Sequence, residues 1–210
     1  MKSMVANGVR GALTLLVFTT LFTALMAGTY AATKSIVDKN TADAERALIA
    51  QVLPAGSYDN NLLADKLTLS LADARTLGND EPSSIYLAKH AGKETGAVVE
   101  TTAPDGYAGR IKLLVGIAPD GRVLGVRVVQ HKETPGLGDY IDAAKSNWSE
   151  QFTGKSLGNP KLDGWKVKKD GGAFDSNAGA TISPRAVVKA VSKVLVYVSA
   201  HKAQVFGEAA

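Results

Sequence analysis

Hydrophobic residues run without a single charge from Gly11 to Ala32, and only then does the chain break into shorter, periodic patterns. Crossing a bilayer as a helix takes about 20 predominantly apolar residues, so "GALTLLVFTTLFTALMAGTYAA" is long enough to span. Its threonines dilute the apolarity, although a threonine hydroxyl can bond back to its own helix. The competing reading is a cleaved signal peptide, whose apolar region is about 7–15 residues. Ala27-Gly28-Thr29 would then be its small-residue cleavage site. The length of the run favours an uncleaved anchor. Lys2 and Arg10 precede it, which sets the N-terminus inside the cell and the bulk of the chain outside. Lys34 and Lys39 beyond the span weaken that bias, with Asp38 between them. In a bacterium this means a single-pass inner-membrane protein with a periplasmic domain.

Residues 33–53 read as a helix leaving the membrane, with Ile36, Ala44, Ala47, Leu48 and Val52 roughly on one face. Pro54-Ala55-Gly56 ends it. Residues 57–88 are mixed: "NLLADKLTLSLADARTLG" alternates partly like a strand, and Asn79–Pro82 is a turn. "TGAVVETTA" and "GRIKLLVGIA" are predicted strands, and Pro119–Arg122 turns the second into "VLGVRVVQ" as a hairpin.

After an aperiodic segment at 131–140, "DYIDAAKSNWSEQF" places Ile141, Ala144, Trp148 and Phe152 at helical spacing. "GWKVKK" reads as a short strand and Asp170-Gly171-Gly172 as a turn. The closing helix is predicted to start at Pro184 with Ser183 as its N-cap. Val187, Val188, Val191, Val194, Leu195 and Val198 form a stripe that must pack on a sheet. The expected organisation is a cytoplasmic N-terminus at 1–10, an anchor at 11–32 and a membrane-proximal mixed segment at 33–89. An α+β domain of antiparallel sheet and packed helices follows at 90–205.

Composition narrows the chemistry. With 45% apolar and 21% charged residues the chain has the balance of a globular protein. Its net charge of +4 includes Lys2 and Arg10, and the other lysines are scattered, so no concentrated basic face offers itself to nucleic acid. The absence of Cys excludes disulfides, iron–sulfur clusters and thiolate metal sites. His90, His131 and His201 lack metal-ligand spacing. Gly154-Lys155-Ser156 resembles the end of a phosphate loop, but Ser149 stands where that loop needs glycine. Gly154–Gly158 matches G-x-S-x-G, a pattern that works only on a strand-to-helix turn. Here a predicted helix precedes it, so a surface loop is expected. Asn147-Trp148-Ser149 matches a glycosylation sequon inside that same helix.

Two segments resist a bland reading. In "HKETPGLGDY" Pro135 fixes one φ, while Gly136 and Gly138 let a flat ligand approach the backbone. In "DSNAGATISPR" the hydroxyl of Thr181 is surplus to a Ser183 cap, and small residues leave it unhindered. A phosphate there would meet the free N–H groups and positive dipole end of the closing helix. Arg185, unfavourable in the first turn of a bare helix, would then be in place.

"DSNAGAT", residues 175–181, resembles the flavin-attachment motif D-x-x-[SA]-G-A-[TS] of proteins that carry FMN on threonine through a phosphoester. Ala178 stands where many such proteins have Ser. "HKETPGLGD" resembles a second hallmark of the same group. With the single N-terminal span, the whole chain is similar to the G subunit of the Rnf (Rsx) electron-transport complex. The resemblance implies one covalent FMN on Thr181, a ring lined by Glu133, Thr134, Gly136 and Leu137, and clearance at Gly179 and Ala180. It also implies recognition of Asp175 by a flavin transferase. The chain would be an electron carrier without catalytic residues of its own. It would pass electrons among the membrane subunits that link ferredoxin and NAD, coupled to ion movement. Two alternatives stay open: the C subunit of a Na+-translocating NADH:quinone reductase, or a membrane-tethered sensory or binding module without flavin.

Overall fold

A computed structural model describes residues 2–207, which divide into two units after Glu45. Helix α1, Lys2–Ala50, makes up the first and supplies the opening turn of the second. A window of 18 residues within it has a mean hydropathy of 1.8 and no buried residue, so by length and composition it can cross a membrane. Thr14, Thr20, Thr29 and Thr33 each donate to the carbonyl four residues back, at 2.8–2.9 Å. The hydroxyls are thereby satisfied within the helix, which is how an apolar segment tolerates them.

The second unit is built on a five-stranded antiparallel meander in the order β1 to β5. The strands are β1 Lys66–Thr68, β2 Ser84–His90, β3 Lys93–Gly106, β4 Gly109–Ile117 and β5 Val123–Gln130. Helix α2, Leu71–Thr76, lies between β1 and β2, with Ser70 as its N-cap accepting from the Asp73 N–H. Helices α3, Ile182–Ala200, and α4, Lys202–Phe206, close the chain.

Strand alternation sorts the core to both faces of the sheet. Ile111, Leu113, Val115 and Ile117 of β4 join a large cluster with the α3 stripe and with Trp148, Phe152, Trp165 and Phe174. All six stripe residues are buried, each contributing about 1.5–3 kcal/mol if fully removed from water. Leu114 faces the other way, to Ile49, Val52, Leu53, Leu62, Tyr86, Ala88 and Val98. Here glycine is required: a Cβ on Gly116 would lie 2.2 Å from the Val52 carbonyl oxygen, and one on Gly125 3.1 Å from Val52 Cα. The turn after α1 rests directly on that bare patch of sheet.

Several expectations need correction. The sheet takes in β1 and β2, so residues 66–90 belong to the same folded unit as 90–205 rather than to a segment apart from it. No α-helix spans 139–152; two 3₁₀ turns, Asp139–Ile141 and Trp148–Phe152, replace it. The residues between them divert the backbone, because Asp142 Oδ1 accepts from the Ala144 N–H and Ser146 bonds both the Tyr140 carbonyl and the Trp148 N–H. "GWKVKK" contributes only the parallel bridge Val167↔Phe174 before a 3₁₀ turn at Lys168–Asp170. The closing helix starts at Ile182, with Thr181 at its N-cap, not at Pro184 behind a Ser183 cap.

Candidate functional site

Two tight turns frame the site, each reversing the chain with a left-handed glycine. In the first, the Leu137 N–H donates to the Thr134 carbonyl at 3.1 Å, with Pro135 and Gly136 at the corner. Gly136 has φ +76°, and its N–H donates to Asp139 Oδ1 at 2.8 Å. Pro then Gly is the pairing a type II turn demands. In the second, the Ala180 N–H donates to the Asn177 carbonyl at 3.2 Å, and Gly179 at the third position has φ +82°. Residues 140–151 hold this second turn in place. The Tyr140 hydroxyl bonds it twice, and Asp175 is held through its carbonyl by Trp148 Nε1 and through its N–H by Gln151 Oε1, each at 2.7 Å.

Between the turns opens a cleft of about 360 Å³, lined by Tyr107, Glu133, Thr134, Leu137, Gly138 and the run Gly179–Ser183. Of the expected site residues it gathers Glu133, Thr134, Leu137, Gly179, Ala180 and Thr181. Gly136 and Asp175 do not line it: Gly136 shapes the first turn, and the Asp175 carboxylate pairs with Lys168 Nζ at 2.6 Å. A separate cleft of about 330 Å³, containing Ser83, Glu100, Arg110 and Lys112, gathers none of the motif residues.

Thr181 borders the cleft half-buried, and among the described residues nothing accepts from or donates to its hydroxyl. Nor does any carbonyl or side chain accept the N–H of Ile182 or Ser183 in the first turn of α3. An unpartnered hydroxyl beside unpartnered helix-start donors fits a phosphate joined to that oxygen. Leu137, Ile182 and Tyr107 present exposed apolar surface around it, which a flat ring would cover. The residues present therefore fit FMN.

Arg185 is not part of this arrangement. It makes a double hydrogen bond with Asp170, at 2.5 and 2.7 Å, and that bonding holds the Asp170 carboxyl below its usual range.

Sequence reasoning missed Tyr107, Ile182 and Ser183 as lining residues, while Gly138, read as a point of close ligand approach, does line the cleft. Ser183 is buried and donates to Glu133 Oε2 at 2.5 Å instead of capping its helix. A serine directly before Pro184 read as a cap, and nothing local revealed a partner 50 residues away.

The fold and cleft define a small FMN-binding domain behind one N-terminal helix able to cross a membrane, and comparison with known proteins agrees. Residues 106–196 match the family model of the FMN-binding domain, and residues 1–52 match that of the RnfG N-terminal region. The G subunit of the ion-translocating oxidoreductase complex of Pseudomonas aeruginosa (strain UCBPP-PA14) is 48% identical over 186 residues, 87% of this chain and 86% of the relative. Its counterpart from Shewanella amazonensis is 45% identical over 206 residues, 98% of this chain and 93% of its own. A solved structure of the C subunit of Na(+)-translocating NADH-quinone reductase from Parabacteroides distasonis aligns at 19% identity over 72% of each chain, with a TM-score of 0.46. The chain belongs to the G-subunit family of the ion-translocating oxidoreductase complex.

Proposed function

We propose that this protein is a membrane-anchored flavoprotein electron carrier, the G subunit of an Rnf-type ion-translocating ferredoxin:NAD oxidoreductase complex, with one FMN phosphoester-linked to Thr181. The observation that carries the reading is the free Thr181 hydroxyl at the edge of an apolar-rimmed cleft, next to the open N–H groups of Ile182 and Ser183.

FMN supplies the electron-accepting and electron-donating chemistry when bound. Thr181 supplies the oxygen of the covalent link. The Ile182 and Ser183 N–H groups would be the donors available to the phosphate's remaining negative charge. Thr134 and Leu137 of the first turn, with Gly179 and Ala180 of the second, would hold the ring in the cleft and help exclude water from it. Covalent attachment holds the cofactor outside the cytoplasm, where no pool would replace it. Asp175, exposed beyond the second turn, is available to a flavin transferase.

In this reading residues 1–10 are cytoplasmic and residues 11–32 cross the bacterial inner membrane. The folded unit stands in the periplasm, in contact with the membrane subunits of the complex. Exchange of electrons with those subunits, rather than turnover of a substrate of its own, is its task.

Intact mass and in-gel fluorescence of the full-length chain, expressed with and without a flavin transferase, test the proposal. A single FMN adduct that survives denaturation and needs the transferase is expected. A colourless, unmodified protein from the co-expressing strain would point to a flavin-free tethered module. Recovery of a soluble form beginning near residue 30 would remove the anchor.

A further inference from the structure

One buried acidic side chain in the cleft wall has no basic partner. Glu133 is only 4% exposed, yet among the described residues no Lys, Arg or His pairs with its carboxylate. Its oxygens are held by neutral donors: Oε2 by the Ser183 hydroxyl at 2.5 Å, and Oε1 by the Ala108 N–H at 3.2 Å.

Three segments distant in sequence close around this carboxylate: the β3–β4 connection, the 131–140 loop and the start of α3. Two of them carry glycine where a side chain would strike it. A Cβ on Gly106 would stand 2.8 Å from Oε1, and one on Gly138 2.8 Å from Oε2. The chain thus leaves room for the carboxylate at two points, although at Gly106 the Gly109 carbonyl oxygen, 2.2 Å from such a Cβ, is the nearer obstacle.

A mere strut between segments would be cheaper if neutral, because a buried carboxylate without a cation loses its hydration for little return. What a buried negative charge does, and a neutral amide does not, is set the electrostatic potential of the cleft beside it. We infer that Glu133 is the redox-tuning residue of the site: its fixed negative charge in the cleft wall opposes added negative charge on the flavin and holds its reduction potential low. The inference rests on the flavin reading given above. It concerns Glu133 alone and would give a carrier that readily yields its electrons. For a charge close to the ring at the effective dielectric of a protein, the equilibrium ratio of reduced to oxidised flavin is lowered by about tenfold or more.

The test is a spectroelectrochemical titration of the full-length, flavin-loaded protein, in wild type and three variants. Glu133→Gln keeps the shape and most of the bonding while removing the charge. Ser183→Ala keeps the charge and removes a donor. Glu133→Met combined with Ser183→Ala removes the charge without leaving either polar partner of that bond orphaned, and replaces Glu133→Gln should that variant not fold. Thermal melting of the same substitutions in the flavin-free Thr181→Val background shows independently which of them fold.

Glu133→Gln and the double variant are expected to shift the potential positive, about tenfold in the reduced-to-oxidised ratio at a fixed applied potential. Ser183→Ala should leave it unchanged or move it negative. An unchanged potential in Glu133→Gln overturns the inference. So does an equal positive shift in Ser183→Ala, since loosened packing would then be the cause. If the wild type itself carries no flavin, the proposed function fails first and this inference with it.

Discussion

Tyr140 grips the 177–180 turn at both ends with one hydroxyl, donating to the Ala180 carbonyl at 3.0 Å and accepting from the Asn177 N–H at 2.9 Å. Its ring packs edge-on against Trp148, centroids 5.8 Å apart, and Trp148 packs edge-on against Phe152 at 5.3 Å. The turn that ends in Thr181 is therefore fixed to the aromatic core rather than left as a free loop.

That grip has a pH signature. Burial pushes the Tyr140 hydroxyl above its ordinary value, partly offset by the Asn177 N–H. The unfolded chain thus ionises first, near pH 10. The stabilisation is fully present below that pH and is lost as pH rises through the folded value. Tyr140→Phe should cost about 1 kcal/mol at neutral pH and flatten the decline in melting temperature between pH 9 and 11. Parallel declines in the two proteins would show that the hydroxyl is not a buried partner of the turn.

Ser183→Ala separates a cap from a buried bond. Losing a cap costs about 1 kcal/mol, and aspartate is as good a cap as serine. In this fold alanine leaves a buried carboxylate short of a donor, at a cost of about 2 kcal/mol. Ser183→Asp should be worse still, because it sets a second carboxylate against Glu133. Urea unfolding of the three proteins decides the matter: an aspartate variant as stable as wild type would restore the cap reading.

What was legible in the sequence was whatever depends on local pattern. The β3, β4 and β5 strands and the α3 stripe follow from alternation and from the 3.6-residue period, and both glycine turns follow from their residues. The failures share a different cause. Ile141, Trp148 and Phe152 sit at helical spacing and are indeed buried, but the Asp142 and Ser146 side chains compete for the backbone between them. β2 escaped because the segment before residue 90 also holds a three-residue strand and a short helix, each too brief to show a period. Ser183 was misread because its partner is Glu133, a contact that exists only after the sheet and α3 have met. Thr181 and Glu133 could both be picked out in advance, while the bond that ties Glu133 to Ser183 could not.

Gly116→Ala tests how the end of α1 is seated on the sheet. The new methyl would lie 2.2 Å from the Val52 carbonyl oxygen, a backbone atom that cannot turn aside. The 52–53 segment must lift, and overpacking of this kind costs about 1–3 kcal/mol. Chemical denaturation measures the loss, and Gly121→Ala, in the exposed β4–β5 turn, shows the effect of positive φ without a clash. An unchanged stability of Gly116→Ala would mean that Val52 does not rest on Gly116.

Thr181 itself gives the sharpest test, because its hydroxyl makes no hydrogen bond among the described residues. Thr181→Val keeps the β-branched shape and should change stability by no more than about 0.5 kcal/mol. Any loss of flavin then reflects chemistry rather than misfolding. Covalent FMN should disappear completely from this variant, since a phosphoester needs that oxygen. Thr181→Ser keeps the oxygen and should retain some flavin. Ser183 is no substitute acceptor: it is 1% exposed and engaged with Glu133. In-gel fluorescence and peptide mass of both variants, expressed with the transferase, read the outcome. Covalent flavin persisting on the valine protein, or a modified peptide mapping to Ser183, would move the attachment site away from Thr181.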